Sequence, residues 1–87
     1  RGSDLAELYF HLAYAQLKLG KWEEGKHNLI KTIEKNPHLV EAYYNLALVY
    51  AEQNQRDKVL EIIKEAKEKN VSSPLLDELQ QKILDLP

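Results

Sequence analysis

The sequence contains no cysteine, and only three glycines and three prolines among its 87 residues. The absence of cysteine excludes disulfides, thiol nucleophiles and cysteine-based zinc or iron sites, and it leaves the cellular compartment open. The few glycines and prolines cannot supply the many tight turns of a β-sandwich or barrel. Because the helix formers Leu, Glu, Lys, Ala and Gln are abundant, the composition favours an all-α fold.

Two further absences concern charge and long apolar runs. Twelve Lys and Arg residues stand against 14 Asp and Glu residues, so the formal net charge is only −2. This balance offers no positive excess to hold nucleic acid or an anionic membrane. No apolar run approaches the roughly 18 residues of a membrane span. We therefore expect one small soluble domain with neither nucleic acid nor a membrane as its partner.

Residues for catalysis, metals and cofactors are also scarce. The three histidines, His11, His27 and His38, lie too far apart in the sequence to form a helical metal pair. Thr32 is the only threonine, and there is no glycine-rich phosphate loop. We therefore predict no catalytic residue, no metal site and no cofactor, and we expect that the protein is not an enzyme.

Helical periodicity predicts five helices with short turns between them. Gly20 and Asn54 are suited to the left-handed position that ends a helix, and Ser73 with Pro74 is typical of a helix start. Arg-Gly-Ser at residues 1–3 resembles an expression-tag remnant, which leaves 4–87 as a single domain. The predicted helices run from about Asp4 to Leu19, Trp22 to Lys35, His38 to Glu52, Arg56 to Lys69 and Pro74 to Leu86.

The sequence repeats itself when it is shifted so that Glu7 falls on Glu41. The shift aligns identical residues at spacings that fit helices. A helical hairpin of this length cannot bury its own apolar face, so successive units must stack. The matches are Glu7 with Glu41, Tyr9 with Tyr43, Leu12 with Leu46, Ala13 with Ala47, and residues 34–36 with 68–70.

This pattern resembles two tetratricopeptide repeats (TPRs) at 6–39 and 40–73, with a capping helix at 74–86. The resemblance implies an all-α, right-handed α-α superhelix, a TPR solenoid with five helices as two hairpins plus a cap. Gln16 departs from the family's usual Tyr, and Val59 replaces the small residue that Gly25 supplies in the first unit. The motif positions are occupied by Tyr9, Leu12, Ala13, Tyr43, Leu46, Ala47 and Tyr50.

The resemblance implies a scaffold or adaptor that binds a protein partner, as a peptide or a helix, in a concave groove. Asn45 is expected to contribute most, because its amide can both donate to and accept from a peptide unit. The residues expected to line this groove are mildly acidic, so we expect a ligand with Lys or Arg beside an apolar anchor. The expected groove residues are Glu7, Phe10, His11, Tyr14, Lys18, Glu41, Tyr44, Asn45, Leu48 and Glu52.

One well-known use of the fold, the dicarboxylate clamp, lacks its basic residues here. Phe10 and Tyr14 stand where the clamp has Lys and Asn, Leu75 and Leu79 stand where it has Lys and Arg, and only Asn45 matches. We therefore predict no binding to the acidic C-terminal tail of a chaperone.

Helix one is apolar on almost every side, a pattern typical of a buried helix. Its side toward a preceding unit would nevertheless have no neighbour in a two-repeat stack. Further repeats of a parent chain or a second copy would cover this side, and we predict a homodimer for the chain as given. A designed scaffold without a biological partner stays open as a third interpretation. The expected self-association face consists of Leu5, Leu8, Leu12, Ala15 and Leu19.

Overall fold

The computed structural model describes residues 2–87, and within this range the chain forms five α-helices. Each end of a helix lies within two residues of its predicted position, a difference typical of frayed helix ends. Gly2 and Ser3 belong to the first helix, whereas Arg1 of the expected tag remnant lies outside the described residues. The helices are α1 (Gly2–Lys18), α2 (Trp22–Lys35), α3 (Val40–Glu52), α4 (Arg56–Glu68) and α5 (Pro74–Leu84).

Three helices end in the same left-handed turn. Gly20, Asn54 and Asn70 have φ angles of 79°, 60° and 61°, which confirms the expectation for Gly20 and Asn54. In each turn the next backbone N–H reaches back to a carbonyl of the last helical turn, for example from Lys21 to Gln16 at 2.9 Å. The turns therefore satisfy carbonyls that would otherwise lack a partner.

The start of α5 also agrees with the sequence. Ser73 has an extended backbone, and its side-chain oxygen accepts a hydrogen bond from the N–H of Leu75 at 3.1 Å. Pro74 occupies the first helical position, where its missing N–H is not needed. The predicted cap of α5 is confirmed.

The helices pack in chain order, each mainly against the helix before and after it. The molecule is flat and elongated, with extents of 41 × 30 × 17 Å. One continuous core runs through both hairpins and under α5, as expected when stacked units bury one another's apolar faces. Its largest fully buried side chains are Tyr43, Leu29, Leu46, Ile63, Leu76, Val59 and Thr32.

The two hairpins differ in how closely their helices approach. A Cβ atom on Gly25 would lie 2.5 Å from Cδ2 of Leu17, so only glycine fits between α1 and α2 at this point without a shift. Val59, at the equivalent position of α4, is fully buried. The Cα atoms of α1 and α2 come close along more of the hairpin than those of α3 and α4. The small residue of the first hairpin is thus replaced by a larger buried one in the second.

Although α1 is apolar on almost every side, it is not a buried helix, and the side expected to have no neighbour in a two-repeat stack is exposed. Among its described side chains only Ala6 and Ala13 are fully enclosed. The physical reason is that α1 packs mainly against α2, whereas α3 lies between α2 and α4. A helix at the end of a stack has one covered side whatever its composition.

Candidate functional site

Helix α3 keeps one accessible stripe although it lies between two helices. Ala42, Tyr43, Leu46, Ala47 and Val49 are buried on its other sides. The accessible residues recur three or four positions apart and so share one face of the helix. Glu41 and Glu52 are exposed, and Tyr44, Asn45 and Leu48 are partly buried.

Helix α1 carries the equivalent stripe one repeat earlier. Glu7, His11, Tyr14 and Lys18 are exposed, and Phe10 is partly buried. The rings of Phe10 and His11 meet edge to face, with centroids 6.0 Å apart. The ammonium of Lys18 lies 5.1 Å from the centre of the Tyr14 ring, within cation–π range. The stripe is thus a surface of aromatic rings with charges at its edges.

The side chain of Asn45 makes one hydrogen bond within its own helix. Its Nδ2 donates to the carbonyl oxygen of Glu41 at 2.8 Å. Among the described residues its side chain makes no other hydrogen bond, so one N–H and the Oδ1 atom remain available. The amide can therefore still offer one donor and one acceptor, in an orientation fixed by the bond to Glu41.

Contacts within each stripe are clear, but contacts between the stripes are not. In the part of the chain that the structure describes, no hydrogen bond, ion pair or ring contact joins the α1 stripe to the α3 stripe. Their relation rests on the repeat, which places both on the first helix of a hairpin. That the ten residues form one groove remains a prediction.

Sequence reasoning missed a polar cluster that joins the two hairpins. Lys26 of α2 donates to Oε1 of Gln53 at 2.8 Å, and its ammonium lies 5.1 Å from the centre of the Tyr50 ring. It also pairs with Glu23 at 3.1 Å, and the hydrogen bond and charge of Lys26 lower the pKa of that carboxyl. In the second repeat the residue equivalent to Lys26 is the apolar Leu60. This difference between the two repeats was the signal in the sequence that could have indicated the polar cluster.

Gln16, the departure from the family pattern, has a partner inside the first hairpin. Its Oε1 accepts a hydrogen bond at 2.7 Å from Nδ2 of Asn28, which is only 9% exposed. The equivalent residues of the second hairpin are Tyr50 and Ile62. A polar pair thus replaces a largely apolar one, and Gln16 serves the packing of α1 against α2.

Comparison with known proteins settles what kind of repeat this is. A family described as "Tetratricopeptide repeat" matches residues 16–83, most of the chain from the end of α1 into α5. The chain belongs to the tetratricopeptide-repeat family. The five helices of this TPR chain accordingly form an all-α helical repeat solenoid.

Two relatives carry the same family name. "TPR repeat-containing protein YpiA" of Bacillus subtilis is 34% identical over 68 residues, which cover 78% of this chain and 16% of the relative. "TPR repeat-containing protein MJ0263" of Methanocaldococcus jannaschii is 39% identical over 70 residues, which cover 79% of this chain and 22% of the relative. The chain thus spans less than a quarter of either relative. TPR domains generally serve as non-enzymatic modules for protein interaction.

The apolar side of α1 in this TPR chain lies open. Ala15 is exposed, and the four leucines of the predicted self-association face are 43–72% exposed. Such exposure of large apolar side chains on one side of one helix is unusual for a lone protein. The four are Leu5, Leu8, Leu12 and Leu19.

Residues 2–87 offer neither a membrane-spanning helix nor a metal cluster. None of the helices there combines the length and hydrophobicity that a membrane crossing requires. The described residues also contain no group of three or more His, Asp or Glu side chains that could hold a metal ion.

Proposed function

We propose that this TPR chain is a non-enzymatic scaffold or adaptor whose first helices bind a peptide or helix of a partner protein. The observation that supports this most strongly is the accessible stripe on α3. Packing against α2 and α4 covers the rest of that helix, yet Glu41, Asn45 and Leu48 stay within reach of solvent. The same positions are open on α1, so the surface recurs from one repeat to the next.

The chemistry of the stripe defines the partner. Asn45 offers one N–H and one oxygen, which match a peptide unit of any sequence. Phe10 and Tyr44 are partly buried, so their rings provide apolar contact area that is already ordered. Glu7, Glu41 and Glu52 outnumber Lys18. The partner segment therefore carries Lys or Arg beside an apolar side chain, and an acidic chaperone tail does not bind.

A peptide-display selection against the immobilised chain tests this function. We expect binders that combine an apolar residue with Lys or Arg, and a loss of affinity of about tenfold or more on Asn45→Ala with Tyr44→Ala. The matched control is Glu61→Ala with Lys64→Ala, because both residues are exposed on α4. Circular dichroism verifies that each variant is folded.

Three results would contradict peptide binding in the groove. Binders could persist on the Asn45 and Tyr44 variant, they could be lost equally on the α4 control, or a Lys-to-Glu change in the peptide could leave affinity unchanged. In calorimetry, a free peptide with an acidic C-terminal tail should give negligible heat. A low-micromolar dissociation constant for that peptide would show that the clamp prediction is wrong.

A second candidate function is assembly through the open side of α1. The observation that favours it is the exposure of Leu8 and Leu19, 66% and 72%, on a side where the equivalent surface of α3 is covered. In this function α1 is the interface, and the peptide groove is incidental.

A further inference from the structure

The polar contacts between the two hairpins are concentrated at one place. We call Glu23, Lys26, Tyr50 and Gln53 the Lys26 cluster. Among residues 2–87, every hydrogen bond, ion pair and ring contact between the first hairpin (α1 and α2) and the second (α3 and α4) is made within this cluster. The hairpins otherwise share an apolar core, and apolar packing has no preferred direction. The Lys26 cluster is therefore the directional contact between the hairpins.

The chain itself joins the two hairpins at the opposite end. Residues 36–39 connect α2 to α3, and the hydroxyl of Tyr43 donates to the carbonyl of Pro37 in this connection at 2.7 Å. The start of α2 lies beside the end of α3, because Lys26 there donates to Gln53 at 2.8 Å. The two helices are thus held together by the chain at one end and by the Lys26 cluster at the other.

The ammonium of Lys26 depends on this arrangement for its partners. Only 13% of the Lys26 side chain is exposed, so water has little access to it. Two of its contacts, with Gln53 and with the ring of Tyr50, are made to α3, whereas Glu23 belongs to α2 itself. A rotation or separation of the hairpins would break both contacts to α3 and leave a nearly buried charge with one partner. The cluster therefore favours one orientation of the second hairpin.

The orientation matters because the two stripes of the candidate groove belong to different hairpins. The α1 stripe ends at Lys18, shortly before α2 begins, and the α3 stripe ends at Glu52, next to Gln53. The ends of both stripes therefore lie on the side of the molecule that holds the Lys26 cluster. A ligand that contacts both stripes binds more tightly when their alignment is already fixed, since a loose orientation would have to be ordered on binding.

The repeat indicates that the fold does not need a lysine at this position. The equivalent residue of the second hairpin is Leu60, which packs against the core, and the residue equivalent to Gln53 is Pro87. An apolar side chain at this place is thus compatible with a helical hairpin of the same kind. Lys26 supplies a directional contact in addition to what the hairpin requires.

We infer that Lys26 is a positioning residue for the groove. Without belonging to either stripe, it fixes the second hairpin on the first and so aligns the α1 stripe with the α3 stripe. This inference rests on the peptide-binding function proposed above. It makes the affinity of the groove depend on a residue that lies outside the groove.

Paired spin labels test the positioning without any ligand, and the chain has no cysteine to interfere. Lys18→Cys with Glu52→Cys places the labels at the end of the stripes near the cluster. Lys26→Met keeps an unbranched apolar side chain but removes the charge and the donor. We expect the distances between these labels to become longer and more broadly distributed in Lys26→Met. Labels on Glu7→Cys with Glu41→Cys, at the opposite end of the stripes, should keep their distance.

The matched control variant is Lys67→Met. Lys67 of α4 donates to Oε1 of Gln80 on α5 at 3.0 Å, so this change also removes a hydrogen bond from lysine to glutamine. That bond does not join the two hairpins, and Lys67→Met should leave both label distances as they are in the wild type. Circular dichroism verifies that each variant keeps its helices.

Peptide affinity tests the link to binding. The probe is a display-selected peptide that loses affinity on Tyr14→Ala and on Asn45→Ala, and therefore contacts both stripes. In fluorescence anisotropy Lys26→Met should weaken its binding about fivefold, and Lys67→Met should leave it unchanged. In a chain that already carries Tyr14→Ala, Lys26→Met should have a much smaller effect, because a ligand held by α3 alone does not need the alignment. A residue that only stabilised the fold would weaken binding equally in both backgrounds.

The two measurements separate this inference from the proposed function. Unchanged label distances in Lys26→Met would overturn the inference. Changed distances with unchanged peptide affinity would also overturn it, because the stripes would then bind without a fixed alignment. Failure to select any peptide that depends on Tyr14 and Asn45 would contradict the groove function, and the label distances would still decide whether Lys26 positions the second hairpin.

Discussion

Helices α1 and α3 occupy the same position in successive repeats, yet their equivalent residues have opposite environments. Leu12 is 49% exposed and Leu46 is fully buried, although both are leucines at the same repeat position. The difference comes from the neighbours, because α2 covers α3 on this side and no described helix covers α1. The comparison teaches that in a stacked fold a residue's burial depends on the next unit as much as on its own repeat.

The open side of α1 is also not a simple copy of the equivalent side of α3. Where the second repeat has the small Ala42 and the polar Gln53, the first repeat has Leu8 and Leu19. The α3 surface is fitted to α2 and is oriented by the hydrogen bond from Lys26. Leu19 has no group that could accept such a hydrogen bond, so the two sides differ in chemistry as well as in exposure.

The largest expected effect comes from truncating the two equivalent leucines. Leu46→Ala removes a fully buried side chain and should lower the free energy of unfolding by about 2–5 kcal/mol. Leu12→Ala should change it by about 0.5 kcal/mol or less. Urea denaturation at low micromolar concentration measures both, because dilution disfavours any dimer. Equal losses of unfolding free energy in the two variants would contradict the difference in burial between the two leucines.

A medium effect is expected from the polar pair of the first hairpin. Gln16→Leu leaves the amide of Asn28 buried without an acceptor and should lower the free energy of unfolding by about 1–3 kcal/mol. Adding Asn28→Ile makes the pair apolar, as in the second hairpin, and should recover most of the loss. The same denaturation measurement checks this. If the double variant is less stable than Gln16→Leu, the hairpins do not tolerate exchange of these residues.

The smallest effect concerns Tyr43, whose hydroxyl donates to the carbonyl of Pro37 at 2.7 Å. Tyr43→Phe should lower the free energy of unfolding by about 0.5–1.5 kcal/mol at neutral pH. The equivalent Tyr9 makes no hydrogen bond among the described residues, so Tyr9→Phe is the matched control and should be neutral.

The difference in stability between wild type and Tyr43→Phe should depend on pH. Burial, and then the charge of Glu65, raise the pKa of Tyr43 above its ordinary value near 10. The contribution of the neutral phenol is therefore complete below pH 10, and it is lost as pH rises through the higher pKa of the folded state. Wild type and Tyr43→Phe should thus differ less in stability above pH 10 than at pH 7. A gap that widens with alkaline pH would contradict this.

Much of the fold could be predicted because its signals are local. Gly20 and Asn54 mark left-handed turns through their own backbone preferences, and Ser73 with Pro74 marks a helix start in the same way. The period of the repeat then determined how the helices stack, since one hairpin cannot bury its own face. The TPR family followed from the same repeat.

The candidate site was less predictable because it depends on contacts between distant residues. Lys26 and Gln53 are 27 positions apart, and neither side chain indicates on its own that they meet. The composition of α1 is typical of a buried helix, but composition reports how apolar a helix is and not how many helices surround it. The hydrogen bond from Asn45 to the carbonyl of Glu41 fixes the orientation of the amide. This bond depends on the side-chain rotamer of Asn45, which the sequence does not reveal.

Thiol accessibility tests most directly the claim that neighbours decide burial at equivalent positions. Leu12→Cys and Leu46→Cys each introduce the only thiol of the chain, and labelling by a thiol reagent is followed at low micromolar concentration. We predict that Leu12→Cys reacts at nearly the rate of the unfolded chain and that Leu46→Cys reacts about 100-fold more slowly, because labelling there requires opening of the stack. Equal rates for the two variants would contradict the account.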